Sequence, residues 1–323
     1  MSNQTMRAMA RTRSLKVGHF IVEFATPGIG YILRNAGCDF VLFDTEHSGF
    51  HNETIKSALR YFEAASLPAI VRVPSKEYHH IARALDMGAE GLMVPMVNDA
   101  AEARAILDCM KYTPAGKRGV ALGVAHDKYA TGAVLDKLAA ANERSTLFAQ
   151  IETAEGVENV EEIAATDGVD CLWVGHFDLS ASLGIPGQFE HRKFKDAIAR
   201  TIAAGRSHGK AVGRLVPDTK SGIDLFSEGF DFICYSGDVW VLQTALTAAV
   251  GEIRAGCGRG SAGSKRAARG KAVRGKASPK KAGPKQVAAR TGAAKTAATS
   301  AKSAKPKKPA AKRARSGGGK KAG

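Results

Sequence analysis

The chain has 323 residues and a formal net charge of +16, from 47 Lys+Arg and 31 Asp+Glu. No apolar run approaches the roughly 20 residues needed to cross a bilayer as a helix, and the cysteines at 38, 109, 171, 234 and 257 show no CxxC or other ligand spacing. A helical membrane protein, a disulfide-stapled scaffold and a cysteine-metal site are thereby set aside, and the thiols read as reduced and structural. The charge is unevenly placed. Residues 256–323 hold 21 Lys/Arg and no acid, which leaves 26 basic against 31 acidic residues in 1–255, a net charge of −5.

Residues 1–16 carry Arg7, Arg11, Arg13 and Lys16 without an acid. This faintly resembles a transit segment, but no apolar h-region or cleavage site follows, so the stretch is expected to be an N-terminal lead-in to a cytoplasmic protein. From there, short apolar runs alternate with amphipathic segments. Strands are expected at 17–22, 40–43, 69–73, 91–94, 147–151, 171–174, 211–215 and 231–235. Helices are expected at 53–65, 77–87, 99–110, 156–165, 192–206, 218–228 and 237–254, with the glycines of AGC (36–38), MGA (87–89) and EGF (228–230) as stops. Eight strand-helix units with right-handed crossovers close into an α/β (β/α)8 TIM barrel over 17–255. An open doubly wound sheet competes with this reading, but no GxGxxG turn follows the first strand.

Polar residues cluster just after the expected strands. FDTEHSG supplies Asp44, Glu46 and His47, VRVPS supplies Arg72, FAQIETAEG supplies Gln150 and Glu152, and LWVGHFDLSASLG supplies His176 and Asp178. In a barrel these strand ends share one rim, where catalytic groups gather. Glu152 and Asp178, at the mouths of neighbouring strands, form a hard oxygen-rich pair suited to Mg2+ or Mn2+. Arg72 within an apolar strand needs an anionic partner. Asp178 before LSASL also has the makings of a helix cap. His79, His80 and His126 read as solvated or interface side chains, and Met93 and Met96 as core. Lys117-Arg118-Gly119 reads either as an anion-binding loop or as a solvated one.

The segments FDTEHSG, VRVP, LDMGAEGLMVPMV, YTPAGKRGV, QIET and DLSASLG, in this order over about 20–255, resemble the signature blocks of the HpcH/HpaI class II pyruvate aldolases, the 4-hydroxy-2-oxoheptanedioate aldolase type. The resemblance implies a (β/α)8 barrel and a divalent metal (Mg2+, Mn2+ or Co2+) on Glu152 and Asp178. It implies reversible retro-aldol cleavage of a 4-hydroxy-2-oxo acid to pyruvate and an aldehyde through a metal-stabilised pyruvate enolate. Arg72 is then the electrostatic stabiliser of the enolate oxygen, and His47 the base, oriented by Asp44 three residues earlier. Gln150 contacts substrate, and the backbone N–H groups of Phe177 and Asp178 face its carboxylate. Glu46 and Asp86 are expected behind the site or at a subunit interface, since the family forms hexamers with sites near interfaces. Many members read GPAD where this chain has Gly175-His176-Phe177-Asp178, which implies a narrower pocket. Phe20, Glu23 and Phe24, after the first strand, are expected where the aldehyde is recognised.

Residues 256–323, built of Lys, Ala, Pro, Gly and Ser, lack the apolar surface to offset chain entropy and read as a disordered basic tail resembling those of histone-like proteins. Such a polycation binds nucleic acid or polyphosphate without sequence selectivity, or remains a solvated extension with no partner. Two other functional classes stand beside the aldolase. One is a nucleic-acid-associated protein whose barrel is an assembly platform; the other is a citrate-lyase-β-like enzyme acting on CoA esters.

Overall fold

The computed structural model describes residues 5–258; the expectations for the tail beyond them lie outside the described residues. Eight parallel strands close into one barrel in sequence order: β1 (Lys16–Ile21), β2 (Phe40–Asp44), β3 (Ala69–Arg72), β4 (Gly91–Val94), β5 (Thr146–Ile151), β6 (Val169–Val174), β7 (Ala211–Val216) and β8 (Phe232–Gly237). Each expected strand is present, and β8 pairs with β1 to close the ring. The open-sheet alternative is thereby overturned. The helices are α1 (Met6–Ala10), α2 (Ile29–Asn35), α3 (Asn52–Ala64), α4 (Tyr78–Asp86), α5 (Ala100–Met110), α6 (Val134–Arg144), α7 (Ala154–Glu158), α8 (Val160–Ala165), α9 (His176–Ser182), α10 (Arg192–Ser207), α11 (Thr219–Glu228) and α12 (Asp238–Gly256).

The two-residue period of a strand sorts side chains into two layers. Phe40, Leu42, Ile70, Met93, Phe148, Trp173 and Phe232 fill the barrel interior, while Val41, Phe43, Val71, Leu92, Leu147 and Val212 face the helices. Gly18 makes room for the ring of Phe40, since a Cβ there would come 2.5 Å from it. The expected helix stops adopt the left-handed backbone that suits glycine, with φ of +92°, +106° and +120° at Gly37, Gly88 and Gly229.

Four features differ from expectation. The lead-in is part of the fold: α1 is capped by the Thr5 hydroxyl accepting from the Ala8 N–H, and it buries Met6 and Met9 in the inner cluster at the amino-terminal end of the barrel. The short α2 and the α6 segment lacked a signal because their apolar faces are narrow; α6 buries only Leu138 and Ala141. The expected helix over 156–165 is two helices broken at Asn159, whose side-chain amide is drawn away to the Asn98 carbonyl. Finally, α12 is apolar along its length, yet of its 19 residues only Asp238 is buried.

Candidate active site

Asp44, Arg72 and Gln150 continue the inward-facing sets of β2, β3 and β5 (Phe40, Leu42, Asp44; Ile70, Arg72; Phe148, Gln150), and Glu152 keeps that parity one residue beyond β5. The sequence therefore switches from apolar to polar along the inner face, at the carboxyl ends of the strands. Arg72 is anchored there by two carboxylates. Its Nε donates to Asp44 Oδ1 at 2.7 Å and lies 3.2 Å from Glu46 Oε2, and its guanidinium sits 5.2 Å from the centre of the Phe20 ring. Burial works against the charge on Arg72, but the hydrogen bond and Coulomb attraction of Asp44, with Glu46, outweigh it and leave its pKa raised.

Asp44 is fully buried and does not orient the His47 ring. Its carboxylate accepts from Arg72 and from the backbone N–H groups of Glu46 (3.0 Å) and His47 (3.2 Å), so it shapes the turn. The acid beside the imidazole is Glu46, with Oε2 3.7 Å from His47 Nε2. The His47 side chain itself is 67% exposed. A carboxylate three residues away was spent on the backbone because a tight turn exposes N–H groups that must be satisfied. Burial raises the pKa of Glu46, against the opposing pull of Arg72 and His47.

Glu152 is 2% exposed. Its Oε1 accepts from the Met96 N–H at 2.7 Å, and its Oε2 accepts from the Gln150 amide. Burial pushes its pKa up to about 7 despite these two donors, with Glu46 and Asp178 adding repulsion. Asp178 stands exposed in the first turn of α9. It is not a cap: Gly175 occupies that position, and no side chain accepts there. Among the described residues no group of three or more His, Cys, Asp and Glu is placed to hold a metal ion; the expected donors are the pair Glu152 and Asp178, two carboxylates at one strand-end mouth. That donor set fits a hard divalent ion that keeps several exchangeable positions. The buried oxygens Gln150 Oε1 and Glu46 Oε2 accept no hydrogen bond, and a cation is the natural relief for the repulsion that Glu46 and Asp178 exert on the buried carboxylate of Glu152.

The chain matches known proteins over most of the barrel. A family model for HpcH/HpaI aldolase/citrate lyase covers residues 20–243. The chain belongs to this family. It is similar to the hydroxypyruvate/pyruvate aldolase of Paraburkholderia phytofirmans, at 40% identity over 69% of this chain and 87% of the relative. It is also similar to the 5-keto-4-deoxy-D-glucarate aldolase of Klebsiella pneumoniae, at 35% identity over 68% and 86%. A solved HpcH/HpaI aldolase/citrate lyase family protein from Burkholderia cenocepacia superposes with a TM-score of 0.72 at 36% identity, covering 77% of this chain and 98% of that one. As an HpcH/HpaI protein with aldolase relatives, the chain is a carbon–carbon lyase. No helix among the described residues is long and apolar enough to cross a membrane.

Several expectations about this HpcH/HpaI site change. Met96 is not core: it is 44% exposed with φ +57°, and its backbone N–H is what holds Glu152. His126 is buried rather than solvated, its Nε2 2.6 Å from the Ala121 carbonyl oxygen. Arg118 is also buried, stacked 4.5 Å from the Tyr112 ring centre and paired with Asp86, so both Asp86 and the 117–119 loop are engaged with each other. Phe177 is exposed, and Phe20 is buried beneath Arg72.

Two residues had no role assigned from the sequence. Gly175 lies against Glu152, and a Cβ there would overlap Oε2. Gly175→Ala is therefore expected to displace the carboxylate and weaken divalent-ion binding by at least about tenfold, of the order seen when a ligand's support is lost, with little change in thermal midpoint; calorimetric titration with Mn2+ measures it. Asp238, buried at the end of β8, gathers the β1 loop: its carboxylate accepts from the N–H groups of Val22 (3.2 Å), Glu23 (3.0 Å) and Phe24 (2.7 Å). Asp238→Ala leaves these donors unpaired, at a cost of about 1–3 kcal/mol. A lower denaturant midpoint and a raised KM for the aldehyde in the condensation direction are the expected readouts.

Proposed function

We propose that the chain cleaves 4-hydroxy-2-oxo acids reversibly to pyruvate, or hydroxypyruvate, and an aldehyde, with Mg2+, Mn2+ or Co2+. The observation that carries this reading is the presence at one barrel mouth of a largely enclosed Arg72, anchored by two carboxylates, and the buried carboxylate of Glu152. The names of the relatives support pyruvate and hydroxypyruvate as the retained fragment.

Glu152 and Asp178 would hold the metal, which when bound supplies Lewis acidity toward the 2-oxo acid. His47 Nε2, beside Glu46, takes the proton of the 4-hydroxyl. The C3–C4 bond then breaks: C4 leaves as the aldehyde carbon, and the bonding electrons pass to the ketone oxygen. The fixed charge of Arg72 stabilises the enolate so formed without reorganising, because Asp44 and Glu46 already hold the guanidinium. Proton return to C3 gives pyruvate. Gln150, with Oε1 free and its amide on Glu152, orients the 2-oxo acid.

A panel of 4-hydroxy-2-oxo acids, assayed for pyruvate release with each metal added, tests the reading. Release from at least one is expected; no release from any, together with turnover of a CoA ester, would replace it with the citrate-lyase type of chemistry.

Two further parts concern partners. A homo-oligomer, hexameric by resemblance, is supported by α12, whose Trp240, Leu242, Leu246, Val250 and Ile253 are all exposed; sedimentation equilibrium measures the count. Residues 256–323 bind nucleic acid or polyphosphate through charge, supported by 21 Lys/Arg and no acid. Loss of a salt-sensitive gel shift on truncation at 255 is the expected result, and a shift that survives truncation refutes it.

A further inference from the structure

The N–H that holds Glu152 Oε1 belongs to a residue in a strained conformation. Met96 has φ +57°, in the left-handed region that disfavours side chains other than glycine's, and such a conformation persists only where its surroundings over-determine it. The segment that follows β4 is fixed at several points. The Val97 N–H donates to the Gln150 carbonyl at 3.2 Å. Asn98 accepts twice, through Oδ1 from the Thr153 hydroxyl at 2.6 Å and through its carbonyl from the Asn159 amide at 2.9 Å. These contacts tie Val97 and Asn98 to β5 and the residues after it, but they do not touch Met96.

Lys76 does. It stands between β3 and α4, and its Nζ donates to the Met96 carbonyl at 3.0 Å and to Glu102 Oε1 at 2.6 Å. The other oxygen of Glu102 accepts from the Asn98 N–H at 2.9 Å. Glu102 is fixed in turn by the cap of α5, because Asp99 Oδ1 accepts its backbone N–H at 2.7 Å. Lys76 and Glu102 thus close a ring of contacts that leaves the chain at the Met96 carbonyl and rejoins it at the Asn98 N–H. The carbonyl and the N–H of Met96 flank one α-carbon. Holding the carbonyl restricts the rotations that would relieve the strain and turn the N–H away from Glu152.

We propose that Lys76 is a positioning residue for the metal site: it fixes the Met96 peptide so that the neighbouring N–H stays on Glu152 Oε1 and the carboxylate stays in place for a divalent ion. This rests on the reading of Glu152 as a metal ligand given above. Charge and position predict opposite results. Removing a cation from the neighbourhood of a cation site strengthens metal binding if Coulomb repulsion is what matters, whereas losing an outer partner of a metal ligand weakens it about 10- to 100-fold. Lys76→Met in the full-length protein is expected to weaken Mn2+ binding about tenfold in calorimetric titration, at the lower end of that range. Lys76→Arg, which can still bridge the carbonyl and Glu102, is expected to recover most of the affinity. A partly exposed ion pair contributes little to global stability, so the metal-free melting temperature should stay near that of the wild type. In pyruvate release, the Mn2+ concentration for half-activation should rise by more than kcat at saturating Mn2+ falls. Unchanged or tighter Mn2+ binding in Lys76→Met, or an equal loss in Lys76→Arg, overturns the positioning role and leaves the assignment of Glu152 to be judged by its own substitution. A wild type that binds no Mn2+ removes the metal reading and the positioning role together.

Discussion

Glu152→Gln is expected to reduce pyruvate release about 100- to 1,000-fold, the scale of losing a preorganised electrostatic group, while the protein stays folded. The amide keeps the shape of the carboxyl but offers one acceptor where Oε1 and Oε2 now serve the Met96 N–H and the Gln150 amide. One donor is left facing a donor, a cost of about 1–3 kcal/mol. Against this, the variant no longer buries a charge. A carboxyl whose pKa is raised from 4.5 to about 7 favours the folded state most when protonated. Its contribution is fully present below pH 4.5 and is lost as pH rises through about 7. The metal-free wild type should therefore lose stability relative to Glu152→Gln across that window, which denaturant melts at several pH values measure.

The same shift gives metal binding a pH profile. Glu152, as the proposed ligand, binds in its ionised form, so Mn2+ affinity of the wild type is expected to rise with pH through about 7 and level off above it. The thermal midpoint should rise with added Mn2+ in the wild type and not in the variant. An unchanged affinity after Glu152→Gln would remove Glu152 from the metal site.

Arg72→Met is expected to damage both folding and catalysis. It strips a fully buried Asp44 and a half-buried Glu46 of their counter-charge, and removing one member of a buried pair costs about 3–5 kcal/mol. For a domain of this size that lowers the melting temperature on the order of 10 °C. Pyruvate release should fall about 100- to 1,000-fold, since the proposed stabiliser of the enolate oxygen is gone. Adding Asp44→Asn to Arg72→Met separates the two effects. The double variant no longer strands a full charge at position 44, so it should regain part of the stability and none of the activity. Recovery of both together would make Arg72 a structural residue only.

Much of this protein was legible as periodicity. The eight strands stood out because each is an apolar run covered on both faces, and the stops at Gly37, Gly88 and Gly229 because only glycine takes their positive φ without strain. The rim residues were legible for a related reason: in the parallel barrel, polar side chains that follow apolar strands converge on one mouth, whatever the loops do. Glu152, Asp178, Arg72 and Gln150 follow from that rule, and the family blocks they sit in gave the chemistry.

The contacts among them were decided by tertiary structure. Asp44 was expected to orient His47, but the turn's own N–H groups and Arg72 claim its carboxylate, and Glu46 stands by the imidazole instead. Met96 holds Glu152 through its backbone, which no side-chain pattern encodes. Asp238 carries no motif; it matters because a loop far away in sequence brings three N–H groups to it. Sequence by itself determined the layers of the barrel and which end is polar, since those depend on local period and burial. Which acid serves which partner depended on distances between strands and loops remote in the chain, and only the closed barrel set them.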